Sequence, residues 1–112
     1  MIRIRLLKKE GRPVGFESKG HALYAEAGTD IVCSAVSVLL INTVNSVETL
    51  TNDRFEVKEA DGYLKLMMAE DVSKETELLL KSLALGLRSI EETYGRSFLQ
   101  VEETTVHSKG GA

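Results

Sequence analysis

Two alternating runs, Arg54 to Ala60 and Tyr63 to Ala69, meet at Asp61-Gly62. An Asp-Gly pair between such runs is the strongest short-range hairpin signal, because the favoured two-residue turn needs positive φ at its central positions. A lone hairpin is marginal in water, so this one must join a larger sheet with a covered face. The partner strands are legible upstream. Ile2 to Lys8 alternates, with Ile2, Ile4 and Leu6 on one side and Arg3 and Arg5 on the other. Glu10-Gly11-Arg12-Pro13 reads as a turn, and Val14 to Lys19 returns as a second strand.

Two helical segments supply the cover. The first starts with Thr29 or Asp30 as N-cap and runs to about Leu50. Its wheel places Asp30, Ser34, Ser37, Ile41, Asn45 and Glu48 on one face, with Cys33 at the edge. Well over half of its circumference is apolar, which predicts burial by the sheet on one side and by another helix or a subunit on another. The second helix takes Ser73 as N-cap, with Thr76 where a capping box usually has a carboxylate, and ends near Tyr94 with Gly95 as its cap. Ser97 to Glu103 is a final strand. The order is ββαββαβ, an α+β fold with two helices packed on an antiparallel or mixed sheet. One domain spans residues 1–104, and residues 105–112 form a flexible C-terminal tail.

Hydrophobic residues make up 43% of the 112-residue chain and charged residues 28%, which is the balance of a globular domain. The formal net charge of −3 argues against a nucleic-acid binder, so no direct nucleic-acid contact is expected. The single cysteine makes no internal disulfide, and a free thiol points to a reducing compartment; the expected location is cytoplasmic. The N-terminus reads as a strand and not as a signal peptide. Ile31 to Ile41 is the most apolar stretch and is too short to span a bilayer, so no membrane partner is expected.

Chemistry concentrates at one junction. Cys33 lies where a loop becomes the first helix, and the positive helix end favours thiolate. His21, one of two histidines, sits a short loop upstream, where an imidazole can take the thiol proton. Read from pattern alone, Cys33 is either a small buried core residue or a nucleophile, and His21 either an ordinary loop residue or its general base and acid. His107 lies in the tail, where a base cannot be preorganised. Asp30 is either a helix cap or the group that orients His21. Backbone N–H groups of Cys33 and of Ser34 or Val32, near the helix start, are candidates for an oxyanion hole. Ser37, one turn on, either lines the site or packs the helix. Gly20 and Gly28 flank the intervening segment as hinges, which predicts a loop that closes over the site. One cysteine and two separated histidines give no metal-ligand spacing, and no phosphate loop or dinucleotide fingerprint is present; no cofactor is expected.

Gly20-His21-Ala22 followed by Ala27-Gly28-Thr29-Asp30-Ile31-Val32-Cys33-Ser34-Ala35-Val36-Ser37 closely resembles the signature of the ribosomal-processing cysteine protease family, Prp. The likeness extends over nearly the whole chain in length and element order. It implies a Cys33 thiolate that attacks the peptide bond, an acyl-enzyme, and hydrolysis assisted by His21. It also implies a substrate, the precursor of bacterial large ribosomal subunit protein twenty-seven, whose N-terminal extension the family removes after an aromatic residue, and a homodimer. The alternatives are a non-catalytic module that binds a ribosomal protein or assists ribosome assembly, and a thiol hydrolase with another substrate.

Overall fold

The structure, a computed structural model, describes residues 1–20 and 29–107. Its elements are β1 (Ile2–Lys9), β2 (Arg12–Lys19), α1 (Thr29–Leu50), β3 (Phe55–Ala60), β4 (Tyr63–Met68), α2 (Lys74–Tyr94) and β5 (Leu99–Thr105). The predicted order ββαββαβ stands. The five strands form one mixed sheet in the order β3-β4-β2-β1-β5. Three pairings are antiparallel, and β5 joins β1 in parallel. Gly62 takes φ 68 in the β3–β4 turn but Asp61 does not take positive φ, so the turn meets that requirement at one central position only; the β1–β2 turn meets it at both, with Glu10 at φ 53 and Gly11 at φ 78.

Alternation divides the sheet into two unlike faces. Ile2, Ile4, Leu6, Phe16, Leu66, Leu99 and Val101 form one face and are buried with Val32, Val36, Leu40 and Val47 of α1 and Leu80, Leu83 and Leu87 of α2. Both helices therefore cover the same side of the sheet. They run antiparallel: Thr51, just after α1, meets Thr76 in the first turn of α2, while Leu39 faces Gly86 farther along. A Cβ on Gly86 would lie 2.9 Å from a Leu39 methyl group, so the missing side chain sets how closely the helices approach.

The start of α2 is locked by a residue from another part of the chain. Ser73 Oγ accepts from the Thr76 N–H at 3.2 Å, as the cap signal predicts. Thr76 does not reach back to complete the box. Asp53 does so from the α1–β3 connection: its Oδ2 accepts from the Ser73 N–H at 2.9 Å and from the Ser73 hydroxyl at 2.7 Å. The Ser73 hydroxyl, then the Thr76 side chain and the Ser73 N–H, hold the Asp53 pKa below its usual 3.8, against a smaller opposing effect of burial. A carboxyl with a lowered folded-state pKa adds stability above its unfolded value and loses it as pH falls through the folded value. Acid unfolding of an Asp53→Asn variant should therefore show a shallower stability loss below pH 3.8 than wild type. Parallel stability curves for the two proteins in that range would contradict the assignment.

Two sequence expectations need correction. β5 runs to Thr105, past its predicted end at Glu103, because Thr104 and Thr105 pair with Leu7 and Lys8 and the Val106 N–H bonds the Lys8 carbonyl at 2.7 Å. Among the described residues, the stretch Ile31–Leu50 of α1 is long and apolar enough, by length and composition alone, to cross a membrane, although Ile31 to Ile41 by itself is too short. One face of that helix packs into the core on the sheet, through Val32, Val36, Leu40 and Val47.

Candidate functional site

The site end of the molecule is set by β2. This strand delivers the chain to Gly20, and α1 begins at Thr29. Gly20 is pinned there. It has φ 108, its N–H donates to the Gly62 carbonyl at 2.9 Å, and a Cβ at this position would overlap the Met1 carbonyl oxygen. The expected hinge is thus anchored on its strand side by the β3–β4 turn and the start of β1. The sequence gives no sign that Asp61-Gly62 would sit beside this position, because only the strand order brings that turn to the same end. A Gly20→Ala variant should lose about 2 kcal/mol or more, from strained φ and backbone overlap. Its thermal midpoint reads the loss, and an unchanged midpoint would refute the packing described.

Cys33 is a free thiol, partly buried at the inner edge of α1, and packs against the core cluster. Its helix position thus combines a packed base with an open side. Ser34 and Ser37 are exposed on the neighbouring surface of the helix, as the wheel predicts. α1 begins at Thr29, which puts Asp30 inside the helix and not at its cap. An acid in the first turn still complements the positive helix end. Cys33 is then the fifth helical residue and not the third. In such a helix the N–H groups of Cys33 and Ser34 have carbonyls four residues back, at Thr29 and Asp30. Of the expected oxyanion donors, Cys33 and Ser34 thus face helical carbonyls, while the residue four before Val32, Gly28, lies outside the described residues.

His21 and Gly28, and with them the expected closing loop, lie outside the described residues, as does the side chain of Asp30. His107 is exposed beyond the end of β5. No group of three or more metal-ligating side chains occurs among the described residues. A cavity of about 280 Å³ opens under α2 near the β1–β2 turn, lined by Leu6, Pro13, Leu80 and Ala84 with Lys8 and Arg88. It includes none of the residues singled out for catalysis and lies at the far end of the sheet from Gly20.

Comparison with known proteins decides what this arrangement belongs to. The family model for cysteine protease Prp matches residues 1–98. The chain belongs to the Prp family of cysteine proteases. The ribosomal processing cysteine protease Prp of Staphylococcus aureus is 31% identical over 90 residues, covering 79% of this chain and 85% of that protein. The Bacillus subtilis protein of the same name is 31% identical over 101 residues, covering 84% and 90%. Among solved structures, the S. aureus Prp with a substrate peptide superposes with a TM-score of 0.84 at 27% identity, covering 93% of this chain and all of that one. The S. aureus Prp with a covalently linked product peptide gives 0.82 at 28% identity, with the same coverage.

Proposed function

We propose that this Prp-family chain removes the N-terminal extension of bacterial large ribosomal subunit protein twenty-seven, with Cys33 as nucleophile and His21 as general base and acid. The observation that carries the reading is the free thiol of Cys33, seated near the start of α1 and one segment after the anchored Gly20. The thiolate attacks the scissile carbonyl, the leaving amine takes a proton from the imidazolium, and water activated by the imidazole releases the acyl group. A covalently linked product peptide on the S. aureus relative supports a nucleophilic route of this kind. Helix packing holds Cys33 from below, so the nucleophile is fixed by the core. The proposed place of action is the cytoplasm, where a lone thiol stays reduced. Intact-mass measurement after incubation with the precursor ribosomal protein tests the reading: a single cut that frees the extension supports it, and an intact precursor refutes it.

The active unit in this proposal is a homodimer. Among the described residues, Val38 and Ile41 of α1 are 65% and 54% exposed, and Leu78 and Leu85 of α2 are 68% and 75% exposed. An apolar stripe shared by two antiparallel helices is what a subunit interface buries. Size-exclusion chromatography with light scattering should give a dimer for wild type and a monomer for an Ile41→Glu, Leu85→Glu variant. A wild-type monomer at micromolar concentration would overturn the proposed assembly.

A further inference from the structure

The sheet face turned away from the helices is laid out in charged rows. Arg3 pairs with Lys19 across β1 and β2, and Lys19 pairs with Tyr63 on β4. In the next row Arg5 pairs with Glu17, Glu17 with Lys65, and Lys65 with Lys58 on β3. Five cations therefore share a face that neither α1 nor α2 covers. Arg3, Arg5, Lys19 and Lys58 are exposed, and Lys65 is half-buried. Glu17 is 3.9 Å from both Arg5 and Lys19 and accepts from the Tyr63 hydroxyl at 2.7 Å, so it holds the rows in place without neutralising them. Glu102 and Glu56 stand at the two margins, opposite Arg5 and Met67. Lys19 lies over the Tyr63 ring, 5.9 Å from its centre.

Two of these pairings oppose like charges: Arg3 with Lys19 and Lys58 with Lys65. Like charges directly opposite in a sheet destabilise it. Among the described residues no ion pair engages Arg3, Lys58 or Lys65. A chain with net charge −3 thus gathers an excess of positive charge on one sheet face, at a cost to its own stability. The net charge behind the expectation of no nucleic-acid contact describes the whole chain and not this face.

We propose that the helix-free face of the sheet, through Arg3, Lys19, Lys58 and Lys65, binds the phosphate backbone of RNA. The proposal rests on the reading above, in which the substrate belongs to a ribonucleoprotein particle; that context selects RNA over an acidic protein. Phosphates repeat along a polymer, and cations spread in rows over four strands meet several at once. The first row includes Lys19, next to the anchored Gly20, so a bound RNA would hold the proteolytic end at the particle surface. Binding is sequence-independent, in the range of about 10⁻⁴–10⁻⁶ M, and falls steeply with salt.

The test is fluorescence anisotropy of a labelled RNA hairpin titrated with the full chain at low and at physiological salt. Arg3→Glu with Lys58→Glu converts both like-charge pairs into opposite-charge pairs. That variant should bind RNA at least tenfold more weakly, melt no lower than wild type and still cut the extension peptide. Arg3→Gln with Lys58→Gln gives the same reading if the reversed variant does not fold, and Lys81→Glu on the helix side should bind as wild type does. The proposal is overturned by an absence of wild-type binding at low salt, by equal binding of the double variant, or by polyglutamate displacing the hairpin better than unlabelled RNA. Peptide cleavage measured on the same preparations separates this outcome from failure of the protease reading.

Discussion

A Cys33→Ala variant will leave the ribosomal extension peptide uncut. Removing the nucleophile from a working catalytic unit costs on the order of 10⁶ in turnover. The fold will survive the change. Cys33 is only partly buried, and deleting one sulfur from the edge of the core costs about 1 kcal/mol. Circular dichroism and a thermal midpoint close to wild type will show that the loss is chemical. Cleavage at the wild-type rate by the folded variant would remove Cys33 from the mechanism and with it the protease assignment.

The second large effect concerns His21. Loss of a positioned general base slows turnover by roughly 10²–10⁴. A slower His21→Ala enzyme alone does not separate catalysis from packing, so the decisive readout is the thiol itself. If His21 activates Cys33, iodoacetamide should alkylate Cys33 more slowly in His21→Ala than in wild type at neutral pH. Equal alkylation rates in the two proteins would show that the two residues do not form a pair. His21→Gln, which keeps a polar side chain without a usable base, should behave as His21→Ala does.

Much of this architecture is written in local patterns. Asp61-Gly62, the alternation of Ile2, Ile4 and Leu6, and the Ser73 and Gly95 caps each act over a few residues, and each is found where the sequence puts it. What escapes the sequence depends on long-range placement. Asp53 completes the α2 cap from 20 residues away, which no local rule reports. β5 outruns its expected end because β1 offers partners as far as Lys8. The parallel β1–β5 pairing is a property of strand order, and strand order also places Gly62 beside Gly20.

The site is legible in a different way. Cys33 stands out because it is the lone thiol near a helix start, and the surrounding block carries the family likeness. The helix register is less visible: whether Asp30 caps α1 or lies within it turns on a shift too small for propensity to resolve. That shift matters to the chemistry, because it decides whether the Cys33 N–H is free to meet an oxyanion or faces a helical carbonyl. The like-charge pairs are also present in the sequence as Arg3, Lys19, Lys58 and Lys65. Only the register makes them opposite one another.

The most direct measurement of the central claim is to trap the enzyme with the precursor peptide, digest it, and map the covalent adduct by mass spectrometry. The account predicts an acyl group on the peptide that contains Cys33, absent when the reaction is run with Cys33→Ala. Turnover of the precursor with the adduct on any other residue, or with Cys33→Ala still cutting, would contradict it.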